Sequence, residues 1–336
     1  VSPAAALLGA LSALLGARTG TDRVPLFLAA GNRFTASDTA SVGTFYQGAP
    51  AVVRLDADSL ARTVRNAHQA SSLAYLRGRS DPRDVGRLLA AAERERGVSL
   101  GMLSTVNVAP EPGAAGPPQD LSAAELRALT AATLVSDLEG RDKEQLKLYF
   151  HVKALRSRAV VELFSDSRYL DAATSRKVLG GLEVVLIELF EAGDLDLARA
   201  AALAGVTPLA EPEHGAEIDN CRIDVDAVGA LLAGLPETAA SQVFVERTDD
   251  LQARLVAYLA ARQPVTPEQL HTALLGRLDG TLTMTPHWYV VCRDAPTRPD
   301  SRAGWEAQAV LLQGSGRTGG APAAGPAPST DARLGA

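Results

Sequence analysis

The chain has 336 residues, 46% of them hydrophobic, enough apolar material for two domains. Its net charge of −6 and its 4% aromatic content exclude a basic, base-stacking surface for nucleic acid. Two cysteines, Cys221 and Cys292, make neither a disulfide framework nor paired metal-binding cysteines, so a reducing, cytoplasmic setting is expected.

The opening "VSPAAALLGALSALLGARTG" has no Lys or Arg ahead of its apolar stretch, which argues against a signal peptide. It is also shorter than the roughly 20 apolar residues of a membrane span. It reads as a helix over 3–17, with Ser2 as cap, Pro3 in the first turn, and Leu7, Leu8, Leu11, Leu14 and Leu15 on one face. The start on Val1, in mid-pattern, fits a fragment or an alternative start codon. Residues 24–31 and 50–56 read as strands. Asp58 or Ser59 then caps a helix with Leu60, Val64, Ala67 and Ser71 on one face. A second helix is expected over 81–96, a strand over 100–109, and a Pro/Gly loop over 110–120.

Ser122 and Glu125 have the spacing of a capping box, with Leu121 and Leu126 as its staple. "LKLYFHVKAL" alternates. Leu146, Leu148, Phe150 and Val152 face one way, and Lys147, Tyr149, His151 and Lys153 the other, as in a half-buried antiparallel strand. Residues 158–166 are expected to pair with it as a hairpin, and Asp171 to start a long apolar helix. After "GVTPLAEPEHG" comes a β-α-β-β-α-β order: "AEIDNCRI", a helix stopped by Pro236, "SQVFVE", "ARLVAYLA", a helix boxed by Thr266 and Gln269, and "HWYVVC". The Gly/Pro/Ala-rich 313–336 is expected to be disordered.

The five histidines, His68, His151, His214, His271 and His287, have no zinc-binding spacing, and no metal site is expected. His68 is expected in the core. His151, on a polar strand face, either looks into a cleft or is simply solvated. No nucleophile elbow, phosphate-binding loop or dinucleotide fingerprint is present. Asp224 and Asp226 are explained by helix capping, and the two cysteines as inert buried thiols.

Four segments in order resemble the C-terminal lobe of a nonribosomal peptide synthetase condensation domain. They are the opening helix and strand ending in Asn32-Arg33, "VGTFYQGAPAVVRL" with Val42, Gly43, Phe45 and Arg54 in place, "RGRSDPRDVGRLL", and the closing strands and helix from "LYFHVKAL". The resemblance covers roughly the first 205 residues. It implies one lobe of a chloramphenicol-acetyltransferase-like fold, with Asn32, Arg33, Gly43, Gln47 and His151 as substrate-tunnel candidates. An ordinary turn and strand remains the other reading of 32–47, and Gln47 stands where the family has Asn. Leu26, Leu28, Phe45 and Tyr46 are expected to form an apolar wall toward the family's other lobe. That lobe carries the catalytic H-H-x-x-x-D-G motif, which is absent here, so no catalytic residue is assigned.

Residues 214–305 resemble the C-terminal subdomain of adenylation (AMP-binding) domains, with Arg222, Ile223 and Val228 matching and Asn220 in place of Gly. The terminal G-K is missing, and Arg302 is nearest the family's lysine. The resemblance therefore implies an α/β (α+β) protein with a condensation-like lobe over 1–206, a linker over 207–213, an adenylation-subdomain-like α+β unit over 214–312, and a tail. It implies an acyltransferase-type component, inactive as this chain alone. The implied partners are a carrier protein bearing phosphopantetheine, an upstream condensation lobe and an adenylation protein, with no cofactor held by the chain itself and no membrane or nucleic acid. The alternative is a non-catalytic docking module for carrier or adenylation proteins.

Overall fold

The first helix, α1 (Pro3–Thr19), starts where Ser2 accepts from the Ala5 N–H and ends where Gly20 turns left-handed at φ 72°. Nearly every residue from Ala5 to Gly16 is buried, not the single face expected. The helix is apolar all round because it lies between other helices and a sheet. In this computed structural model the described residues are 2–100, 104–108, 121–138, 147–155, 158–247, 252–278 and 282–317. The loop expected over 110–120, residues 101–103 and Leu146 lie outside them, as does the tail from 318.

The remaining elements are β1 (Arg23–Ala30), α2 (Ala36–Ala40), β2 (Gln47–Arg54), α3 (Leu60–Leu76), α4 (Pro82–Arg96), β3 (Ser104–Val108), α5 (Ala123–Thr130), β4 (Leu148–Leu155), β5 (Ala159–Ser165), α6 (Ala172–Ala192) and α7 (Leu197–Ala204). Then follow β6 (Gly215–Ile218), β7 (Cys221–Asp224), α8 (Val225–Ala233), β8 (Thr238–Arg247), β9 (Ala253–Ala261), α9 (Pro267–Leu275), β10 (Trp288–Cys292), α10 (Arg302–Glu306) and β11 (Val310–Gly314). The chain forms two compact units, Val1–Val85 with Gly101–Ala210, and Gly86–Leu100 with Glu211–Ala336. The sequence pattern predicts one division, at 207–213; the units also divide at both ends of 86–100.

In the first unit a five-stranded sheet has the order β2-β1-β3-β4-β5. β1 runs antiparallel to β2 and parallel to β3; β4 runs parallel to β3 and antiparallel to β5. Val24, Leu26, Leu28 and Ala30 alternate onto one face with Ala49, Ala51, Val53, Val106, Phe150 and Val152. That face is covered by leucines and valines of α1, α3 and α6. Leu26 and Leu28 are thus in the core and not on an outward wall, because the pleat gives them the parity of Val24. His68, expected in the core, is exposed on α3, one position round from buried Ala67.

In the second unit the sheet order is β11-β10-β9-β8, beside the hairpin β6-β7. "AEIDNCRI" is not one strand. Asp219 and Asn220 take φ of 52° and 58°, which makes a two-residue hairpin turn between Ile218 and Cys221. Asn tolerates this backbone, so the glycine of the resembled family is not needed there. Gln313 and Gly314, expected in a disordered tail, close β11, which pairs with β10 through the apolar run Val310–Leu312. A core of Ile218, Ile223, Leu232, Leu255, Leu259, Leu270, Leu274 and Tyr289 joins sheet, hairpin, α8 and α9. No helix among the described residues is long and apolar enough to cross a membrane.

Candidate functional site

On the opposite face of the first sheet Phe27 and Thr105 are buried, and Asn107, Tyr149, His151 and Glu162 are half-buried. Among the described residues, α1, α3 and α6 contribute their buried side chains to the other face. Strand register places Asn107 of β3 opposite His151 of β4, and His151 opposite Glu162 of β5. Tyr149, two residues before His151, shares the face. His151 Nδ1 lies 3.5 Å from Glu162 Oε2, and both side chains are about one-fifth exposed (20% and 18%). Lys153 pairs with the same carboxylate. It sits at an irregularity in the β4–β5 register, between Val152 and Ala154. The Lys153 hydrogen bond holds the Glu162 carboxyl below the usual range, against the opposing effect of burial.

The Asn107 amide donates to the Tyr149 hydroxyl at 3.0 Å. The Tyr149 ring lies 5.6 Å from the His151 ring and 6.3 Å from that of Phe164. Burial, and then the nearby Tyr149, push the Tyr46 phenol up. An imidazole backed by a carboxylate can take or give a proton, and the aromatic rings beside it offer a flat apolar surface. The five side chains are His151, Glu162, Lys153, Tyr149 and Asn107. Only His151 was singled out from the sequence. The alternation that put Tyr149 and Lys153 on its face was visible there; the register that adds Asn107 and Glu162 was not.

Asn32 and Gln47 come together, but as a brace. Asn32 is buried, at φ 51°, and its Nδ2 donates to Gln47 Oε1 at 2.9 Å and to the Gly78 carbonyl at 3.1 Å. Gln47 Nε2 donates to the Ser80 carbonyl at 2.7 Å, and Gln47 Oε1 accepts from the Ser80 N–H at 3.1 Å. The brace thus joins the end of β1, the start of β2 and the turn after α3. Gly78 is needed there, since a Cβ would lie 2.8 Å from that of Ala30. Asn32→Ala leaves the Gly78 carbonyl unpaired and puts a Cβ-bearing residue without a polar group at positive φ. The expected loss is about 2–4 kcal/mol in denaturant unfolding, with Asn32→Gly intermediate.

Arg33 organises the following loop. Its guanidinium donates to the carbonyls of Asp38, Ser41 (2.9 Å) and Gly43 (2.9 Å) and lies 4.4 Å from the centre of the Phe45 ring. Gly43 therefore contributes its carbonyl, and a Cβ on it would meet only Phe45, at 3.7 Å. In the second unit, Arg302 Nε donates to Glu306 Oε1 at 2.8 Å, and Nη2 pairs with Glu246, which also binds Arg254. The guanidinium is held by two carboxylates. Asp224 caps α8 through the N–H groups of Asp226 and Ala227, while Asp226 Oδ2 lies 2.7 Å from His214 Nδ1. Burial pushes both the Cys221 and Cys292 thiols up; Cys292 is buried as expected, whereas Cys221 is only partly so. No group of three or more His, Cys, Asp or Glu among the described residues is placed to hold a metal ion.

No family model matches this chain, and no curated protein matches it. Among solved structures, the first condensation domain of the calcium-dependent antibiotic synthetase, in complex with a substrate analogue, is similar over 58% of this chain and 40% of that one, at 17% identity and a TM-score of 0.40. The o-succinylbenzoate CoA synthetase of Bacillus subtilis, bound to a product analogue, is similar over 31% of this chain and 22% of its own, at 19% identity and a TM-score of 0.25. The four-domain nonribosomal peptide synthetase AB3403, bound to AMP and glycine, is similar over 71% of this chain and 19% of its own, at 14% identity and a TM-score of 0.42. The chain therefore spans about two-fifths of the condensation-domain structure. Condensation domains, the family resembled by the first 205 residues, are among these structures.

Proposed function

We propose that this chain is a component of a nonribosomal-peptide-synthetase-type assembly line. The first unit acts as the second lobe of a condensation-type acyltransferase. The second unit is an adenylation-subdomain-like module without adenylating chemistry of its own. The observation that supports this best is the first sheet, with α1, α3 and α6 on one face and Tyr149, His151, Glu162 and Asn107 on the other. A partner lobe laid on that face would turn it into one wall of a tunnel. The phosphopantetheine arm of a carrier protein would bring acyl or aminoacyl groups to it, with Asn107 and Tyr149 as polar groups for its amides. Arg302 keeps a positive charge near the lysine position, but its planar guanidinium is occupied by Glu246 and Glu306.

The second reading is a docking module in which neither unit catalyses. It is favoured by the commitment of Asn32, Arg33 and Gln47 to bracing their own loops. One experiment separates the two. The chain is sedimented at low micromolar concentration alone, and again after co-expression with a condensation lobe that carries H-H-x-x-x-D-G. The half-enzyme reading expects self-association alone and a monodisperse complex with the lobe. It also expects amide formation from carrier-bound substrates in that complex and no amino-acid-dependent pyrophosphate exchange by the chain. A clean monomer that ignores the lobe removes the half-enzyme reading and leaves docking.

A further inference from the structure

Residues 86–100 belong to the second unit, yet all of 101–210 separates them in sequence from the rest of it. What holds them is specific. Gly97 follows α4 at φ +66°, its N–H donating to the Glu93 carbonyl at 2.7 Å, and the Leu100 N–H donates to Glu93 Oε1 at 2.8 Å. The Gly97 carbonyl accepts from the Thr285 N–H at 2.7 Å. The Thr285 carbonyl in turn accepts from Arg317 Nη2 at 2.8 Å. One buried residue, Thr285, thus joins three stretches of chain that are remote in sequence. Val98 packs beside the link on the core of the second unit.

The fit leaves no slack. A Cβ on Gly97 would lie 2.1 Å from Thr285 Oγ1 and 2.7 Å from Arg317 Nη2. Gly316, at φ +67°, brings the chain so close to α9 that a Cβ would lie 2.4 Å from the Pro267 carbonyl oxygen and 2.7 Å from the His271 Cβ. Ser315 Oγ accepts from the Arg317 N–H at 3.1 Å, which shapes the turn that delivers the guanidinium. The arginine side chain is 12% exposed and lies 3.8 Å from Asp219 Oδ2. Burying a guanidinium is costly, and a carbonyl and a distant carboxylate repay it only in part. Arg317 Nε has no partner among the described residues.

We infer that Gly97, Thr285 and Arg317 form a clasp, in which residues 315–317 act as a strap over the 86–100 segment and make it a detachable arm of the second unit. Closed, the clasp holds 86–100 against the rest of the second unit. Open, it releases the segment from that unit. The strap is therefore a conformational device, and it stands whether or not the assembly-line reading does.

Hydrogen exchange followed by mass spectrometry on the full chain tests this, with Arg317→Ala and Arg317→Lys beside the parent. In Arg317→Ala, amides of 86–100 are expected to exchange about tenfold faster or more, the worth of a hydrogen bond to a charged group. Peptides from β9 and β10 keep their protection. Arg317→Lys, a single point charge on a flexible stem, is expected to fall between. Unchanged protection of 86–100 in Arg317→Ala overturns the clasp. So does an equal loss across β9 and β10, which would make Arg317 a general support of the core.

Discussion

Acidification from about pH 8 to about pH 5 is expected to unfold the second unit ahead of the first. The cause is two histidines whose pKa the fold lowers. His271 of α9 is wholly buried, and neither ring nitrogen makes a hydrogen bond of ordinary geometry among the described residues. Burial lowers its pKa first, and the charges of Arg317 and Arg94 add to this, against a smaller opposing effect from the Arg94 backbone. His287 is lowered by burial and by Arg317, with Arg254 adding to this and Asp219 opposing it. In the unfolded chain both histidines titrate near 6.5. The unfolded state therefore binds more protons than the folded one below about pH 6.5, and stability falls as pH falls through that value. His214 has the opposite sign, raised by Asp226, but it lies exposed at the surface and offsets little.

The first unit is expected to hold in that window. Its clearly shifted acids, Asp38, Glu125, Glu162, Asp166, Asp171, Glu191 and Asp194, are all lowered. Lowered carboxylates stabilise above the unfolded value near 4 and are lost only below it. Thermal melts with a tryptophan probe report the second unit, because Trp288 and Trp305 both lie there. His271→Leu removes a buried imidazole that lacks a well-formed hydrogen bond. It is expected to leave the melting temperature near pH 8 unchanged or higher and to flatten its fall toward pH 5. An equally steep fall in the variant would place the pH response elsewhere.

The parts of this fold that were legible are those where local chemistry decides. Ser2, Ser59, Ser122, Asp171 and Thr266 cap the helices they were expected to cap, and both capping boxes close. Alternation in β4 placed Phe150 inward and His151 outward. What was not legible depends on partners far along the chain. The parity of β1 could not say that Leu26 faces helices, since an apolar strand shows its pattern only once it is covered. Asn32 looked like a site residue because a polar pair in a turn gives the same signal whether it meets a substrate or, as here, Gln47 and Gly78. The attachment of 86–100 to the second unit rests on two glycines and one arginine spread over more than 200 residues of chain. The strand β11 was hidden by the Gly/Pro-rich run that follows it.

The sharpest contrast between what sequence and structure can say comes from two adjacent glycines in α6. By helix propensity alone, Gly180→Ala and Gly181→Ala should both stabilise, each by about 0.5–1 kcal/mol. The structure separates them. A Cβ on Gly180 meets nothing within 4 Å, so the propensity gain stands and a modest rise in stability is expected. A Cβ on Gly181 would lie 2.3 Å from the Cβ of Ala204 and 2.8 Å from its Cα. That is the contact between α6 and α7, and the obstacle is backbone rather than the end of a flexible side chain. The helices must part, which loosens Val178, Leu182, Val185, Ala200 and Ala204 in the main core. Overpacking of this kind costs roughly 1–3 kcal/mol, and a bulkier Gly181→Val more. The two alanine variants are thus expected to shift the stability of the first unit in opposite directions, by a difference of about 1.5–4 kcal/mol between them in denaturant unfolding. Equal shifts of the same sign would mean that α6 and α7 do not meet at Gly181, and the helix layer beneath the candidate site would have to be redrawn.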